Sequence, residues 1–313
     1  MITVLGIGVA GLCAATALTE AGLRVQLAVP LGHAASHLAG GMLAPFCEAE
    51  AAPAIVTTLG RGAVDWWAAR VPGVQRHGTL VIAPPRDGAE LRRFASRTSN
   101  HQTLDGAGIA GLEPALAGRF PQGLFFAEEA HLDPRAALAA LTATLHAQGV
   151  AFNQPPQGQI VDCRGIAARD HLPTVRAVRG EMLLLRCPDL TLSRPIRLLH
   201  PRFPCYLVPR GAGIFMLGAT MLESDHSGPI TARSTMELLS AAFAIHPALA
   251  EAEIVETGAG LRPAYPDNIP ALHHDAGCWH LNGLYRHGFL LAPALAQQLA
   301  AQLAATPEPI HAD

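Results

Sequence analysis

The segment Ile2-Thr3-Val4-Leu5-Gly6-Ile7-Gly8-Val9-Ala10-Gly11 constrains this fold more than any other part of the chain. Residues 2–6 are a short β-prone run, and Gly6, Gly8 and Gly11 follow in GxGxxG spacing. Leu12 to Glu20 then reads as an Ala-rich helix stopped near Gly22, and Arg24 to Val29 as a second strand. Strand, glycine turn, helix and strand in this order open a dinucleotide-binding fold. The glycines allow a tight turn and let backbone N–H groups approach a pyrophosphate, while the helix N-terminus adds partial positive charge. A plain glycine turn in a βα unit would show the same spacing; the strand–helix context favours the nucleotide reading.

The rest of the chain fits a second unit inserted into the first. At 313 residues, two domains are expected. Pro134 to Gln148 reads as an amphipathic helix with Leu138, Leu141 and Leu145 on one face, and Ile160 to Cys163 as a strand. Met182–Leu185, Ile196–His200, Cys205–Val208 and Ile214–Leu217 are strand-like runs separated by turns, which predicts a mainly antiparallel sheet. A helix over Ser234–Ala244, a strand over His280–Leu284 and a helix from Pro293 to about Ala304 complete the pattern. The fold class expected is α/β: a Rossmann-type nucleotide domain (1–48, 130–178 and 255–313) with an α+β substrate domain (49–129 and 179–254).

Composition narrows the chemistry. All 22 cationic side chains are Arg. Without lysine there is no Walker-A phosphate loop and no Schiff-base chemistry. A net charge of −3 argues against a nucleic-acid binder or a polybasic membrane-surface protein. The six cysteines form no CxxC pair and read as reduced thiols in a cytoplasmic protein. Residues 1–19 carry no charged side chain, but the glycines interrupt the apolar run, so a buried strand and helix are expected rather than a leader or a membrane span. His273-His274 is read as a solvated pair in a turn, and no metal site is expected.

Further blocks converge on a family. Gly40-Gly41-Met42-Leu43-Ala44-Pro45 follows Ser36, and Val161-Asp162-Cys163-Arg164-Gly165 precedes Arg179-Gly180-Glu181-Met182. Tyr206-Leu207-Val208-Pro209-Arg210 leads to Gly218-Ala219-Thr220-Met221. Gly260-Leu261-Arg262-Pro263 leads to Asn282-Gly283-Leu284-Tyr285-Arg286-His287-Gly288 and Leu291-Ala292-Pro293. Over nearly the whole chain this set resembles the D-amino-acid oxidase family of flavoproteins, and most of all its glycine oxidase branch.

The resemblance implies FAD with its pyrophosphate at Gly6, Gly8 and Gly11 and further contacts from Ser36, Gly165 and Arg286. Its isoalloxazine would lie near Gly40, Gly41 and Met42 and near Gly288, Phe289 and Leu290. Tyr206, Met221, Arg262 and Arg286 would surround the substrate, a small amino acid. The implied reaction is oxidative deamination of glycine or a similar amino acid, with dioxygen reduced to hydrogen peroxide, for the thiazole branch of thiamine biosynthesis. A homo-oligomer is the family's implied state. Residue chemistry supports this: Arg262 offers a planar, permanently charged fork for a carboxylate. Tyr206 adds a hydroxyl, and Met221 could border a small apolar pocket. Arg286 reads either as a substrate-side group or as an interdomain ion pair. No catalytic base is required if a neutral amine loses its Cα hydride; positioning and electrostatics would supply the acceleration.

Two features depart from the family pattern. Val29 stands where a glutamate usually holds the adenosine ribose, and only ten residues, Ala151 to Ile160, replace the β-meander that contacts adenine. Gln26, His33 and Ser36 are candidates to compensate. An amino-acid dehydrogenase of the same fold passing electrons to a partner or quinone, and a catalytically silent nucleotide-binding relative, stand as alternatives.

Overall fold

The computed structural model describes residues 1–28 and 34–305. Val29 and His33 therefore lie outside the described residues. Two main sheets organise the chain. The first holds six strands in the order Ala271–Asp275, Cys278–Asn282, Gln159–Asp162, Ile2–Leu5, Val25–Ala28, Ala151–Phe152. Its pairs are parallel except that between Ala271–Asp275 and Cys278–Asn282. Two apolar helices cover it: Val9–Glu20, whose first ten residues are all buried, and the final helix Gly288–Ala305. A run that is apolar on every side is what a helix packed between a sheet and other helices requires. Gly11 is demanded by close packing: a Cβ there would run into the Gly6 carbonyl.

The final helix starts at Gly288, earlier than the expected Pro293, which lies inside it. Proline has no N–H for the carbonyl one turn back, that of Phe289. The indole of Trp67 supplies the missing donor, its Nε1 lying 2.7 Å from the Phe289 carbonyl oxygen. The helix is long and apolar enough to span a bilayer by composition, and half of it is buried against the rest of the protein.

The second sheet has nine strands, and all its pairs but one are antiparallel, as the sequence predicts. One of its longest members, Glu253–Ala264, pairs antiparallel with Arg176–Arg186. Residues 255–264 thus belong to this sheet, not with the nucleotide-binding residues expected to begin at 255; the run Gly258-Ala259-Gly260 has none of the bulk that marks a strand in sequence. On one face Leu183, Leu207 and Leu217 pack with Leu238, Ala241 and Ile245 of the helix Ala232–Ile245. The opposite face carries Met182, Tyr206 and Arg262.

The short link 151–160 is pinned rather than free. Thr3 Oγ1 donates to the Gln157 carbonyl (2.6 Å) and accepts from its N–H (2.8 Å). Gln26 Nε2 donates to Thr3 Oγ1 and to the Pro155 carbonyl. Gln26 is buried in this role, so it does not serve a ribose.

Candidate active site

The nucleotide end is built from two helix N-termini that meet. The Gly8 N-cap of Val9–Glu20 has no side-chain cap, and its first turn holds no acid. Ser36 Oγ accepts from the Val9 N–H at 3.2 Å, and a Cβ on Gly288 would lie 3.0 Å from Val9, so the final helix begins beside the first. N–H groups unpaired at a helix start, with the dipole behind them, fit a pyrophosphate. Gly165 follows the strand Gln159–Asp162 at the same sheet end, its carbonyl held by Asn282 Nδ2 at 2.9 Å. Gly6, Gly8, Gly11, Ser36 and Gly165 thus lie together at one end of the first sheet, and the acid-free helix start beside them has room for the phosphates of a dinucleotide such as FAD.

The Gly40-Gly41 segment, expected to face the isoalloxazine, is fixed by Arg210, which the sequence does not mark out. Its Nη1 donates to the Leu132 carbonyl (2.8 Å), and Nη2 donates to those of Gly40 (2.9 Å) and Ala39 (3.1 Å). Met42 pairs with His131, and the ring of Tyr206 lies against Gly40. The side chains of Phe289 and Leu290 are buried in the core, Phe289 against Trp67 and Leu290 against Gly60, so at this helix start it is the backbone that is placed to face a cofactor.

The four expected substrate residues come together. Arg262 projects from its strand across Gly180, where any Cβ would run into the guanidinium. Its Nη1 donates to the Thr220 carbonyl at 3.0 Å, and Tyr206 lies close enough to act on its charge. Burial lowers its guanidinium below the ordinary arginine value. Among the described residues no carboxylate pairs with it. Thr220 is itself locked: its hydroxyl donates to the Glu181 carboxylate (3.0 Å) and accepts from the Glu181 N–H (3.0 Å). Glu181 is fully buried and paired with Arg179, whose guanidinium also holds the carbonyls of His226, Gly228 and Pro229. The Arg-Gly-Glu-Met block thus anchors the loop behind the site, and its glycine is the bed for Arg262.

Arg286 combines both of its readings. Its Nη2 reaches Glu48 Oε2 at 2.8 Å and Oε1 at 3.1 Å, while Nη1 is 3.5 Å from Met221 Sδ. Tyr285 Oη contacts the same sulfur at 3.5 Å. Met221 is 49% exposed and stands at the rim of this group. Sequence reading missed Tyr285, although it adjoins Arg286, and Glu48, which carried no motif. Glu48 also meets Arg197 (3.3 Å) and His287 (3.4 Å). Burial pushes its carboxyl up, but Arg286, His287 and Arg197 outweigh that and hold it at about 2. The short helix Pro45–Glu48 is secured by buried Glu129, whose Oε1 accepts from the N–H groups of Phe46 (3.0 Å) and Cys47 (2.8 Å). His273 and His274 lie on a strand, not in a turn, against Tyr265 and Trp279.

Comparison with known proteins agrees with this geometry. The family model for FAD dependent oxidoreductases of the DAO type matches residues 1–302. A putative thiamine biosynthesis oxidoreductase ThiO of Rhizobium etli is 56% identical over 313 residues, covering 96% of each chain. A glycine oxidase of Pseudomonas aeruginosa is 28% identical, covering 96% of this chain and 93% of that one. The crystal structure of a glycine oxidase from Bacillus cereus superposes with a TM-score of 0.83 at 21% identity, over 98% of this chain and 95% of that one. The chain belongs to the DAO family of FAD-dependent oxidoreductases.

Proposed function

We propose that the protein oxidises glycine, or an amino acid of similar size, to the imine, which water converts to the 2-oxo acid and ammonia, while dioxygen becomes hydrogen peroxide. The observation that carries this reading is Arg262: a partly buried guanidinium near Tyr206, Tyr285 and Arg286 with no carboxylate partner among the described residues. Removing such a cation from water is costly unless an anion completes it. A substrate carboxylate does so with bidentate geometry, and the Tyr206 hydroxyl beside it supplies a further hydrogen bond.

FAD, when bound, supplies acceptance of the electron pair and hydrogen leaving Cα. The protein's own groups hold and orient. Arg262 and Tyr206 fix the carboxylate, the Tyr206 ring packs on the Gly40 strip, and Tyr285 and Arg286 cover the site from the rim through Met221. No side-chain base stands among these five residues, which accords with a substrate amine that arrives neutral. A cytoplasmic setting agrees with six unpaired thiols, five of them buried. A role in thiamine biosynthesis is supported by the Rhizobium etli relative's name at 56% identity.

The test is oxygen uptake by the FAD-loaded protein with glycine, read together with peroxide formation. Equimolar peroxide supports the proposal. Flavin reduction by glycine without peroxide would assign the protein to the dehydrogenases, and no reaction would leave the nucleotide-binding reading.

A further inference from the structure

Glu48 decides how many carboxylates the site accepts. Two guanidinia approach the substrate region, but only one is available to an anion. Arg286 has both Glu48 oxygens on its Nη2, at 2.8 and 3.1 Å, leaving Nη1, which rests on the Met221 sulfur. A carboxylate bound by arginine needs the paired fork, and half of this fork is taken. Glu48 does not release it, because its carboxylate stays ionised beside Arg286, Arg197 and His287. His287, 3.4 Å away, is held neutral at neutral pH, since burial drives it down to about 4. The Pro45–Glu48 helix cannot swing aside easily, being held at its N–H groups by Glu129.

We propose that Glu48 is a specificity-determining residue: by occupying Arg286 it restricts the site to substrates with one carboxylate, anchored on Arg262, and excludes amino acids bearing a second anion. The inference rests on the substrate reading above. Glu48→Gln removes the charge at nearly constant shape and frees the Arg286 fork beside Arg262.

Acetate and malonate, neither of them oxidisable here, are the probes, and their binding is followed by perturbation of the flavin's visible spectrum. In the native enzyme acetate should bind and malonate should gain nothing over it. In Glu48→Gln malonate should tighten by about tenfold or more relative to acetate, the effect of one added charge-assisted contact. Arg286→Leu in the Glu48→Gln background should abolish that gain. Glu48→Asp, which keeps the charge, should retain native discrimination, a result a merely structural role would not give. If Glu48→Gln fails to hold FAD, the native enzyme itself carries the test: malonate binding no tighter than acetate supports the proposal, and a malonate preference there overturns it. Equal changes for both anions in Glu48→Gln also overturn it. Failure of acetate to bind the native enzyme at Arg262 sinks the substrate reading instead.

Discussion

Arg262→Lys keeps the positive charge and removes the fork, and the structure allows its cost to be worked. The native guanidinium donates to the Thr220 carbonyl and has no carboxylate partner among the described residues. A lysine ammonium reaches one carboxylate oxygen instead of two, losing a charge-assisted bond of roughly 1.5–3 kcal/mol. It also leaves the Thr220 carbonyl without its partner, about 1 kcal/mol more. Together these predict a fall in kcat/KM for glycine on the order of 100- to 1,000-fold, appearing largely in KM, because the lost contact serves bound substrate as well as the transition state. The assay is oxygen uptake at varied glycine concentration, with FAD content measured on the same samples. Full FAD content is expected, since Arg262 lies on the second sheet and not at the pyrophosphate turn. A holo-variant whose kcat/KM stays within about threefold of native would refute the assignment of Arg262 as the carboxylate anchor.

Three further perturbations probe the frame. Glu129 is pushed up by burial from 4.5 to about 7, so its contribution to stability is complete below pH 4.5 and lost as the pH rises to 7. His131 and His287, both driven down to about 4 by burial, act in the opposite sense, losing their contribution as pH falls from 6.5 to 4. Glu129→Gln should therefore remove from the pH profile a decline of roughly 1–3 kcal/mol between pH 4.5 and 7, read by urea unfolding at several pH values; a superposable profile contradicts the assignment. Trp67→Phe orphans the Phe289 carbonyl and should lower stability by about 1–3 kcal/mol with FAD still bound; an unchanged urea midpoint would show that this carbonyl finds another donor. Val29→Glu restores an acceptor for a ribose hydroxyl and should tighten FAD by about threefold to tenfold in titrations of apoenzyme, while equal or weaker binding means the ribose is held elsewhere.

Local signals made most of the first sheet legible. The glycine spacing, the second strand and the Leu138/Leu141/Leu145 stripe each follow from backbone sterics or helical periodicity, and each falls where expected. The start of the final helix was not legible, because Pro293 reads as a first-turn residue until Trp67, distant in sequence, is seen to satisfy the carbonyl that proline leaves unpaired. The strand Glu253–Ala264 lacked β-branched bulk where Gly258 and Gly260 make room for Leu38. Arg262 and Tyr206 announced themselves by residue type and family pattern. Glu48, Glu181 and Arg210 did not, because their roles depend on partners contributed by other elements, and a lone acid or arginine in sequence carries no sign of what it will face.

The central claim is that a small amino acid delivers its electrons to FAD in this site, and anaerobic mixing of the FAD-loaded protein with glycine tests it without the complication of the oxygen step. The account predicts that glycine bleaches the flavin's visible absorption, that D-phenylalanine does so far less efficiently, and that Arg262→Ala loses the response to glycine while keeping its flavin. An oxidised spectrum that glycine leaves untouched, in protein confirmed to hold FAD, would contradict it.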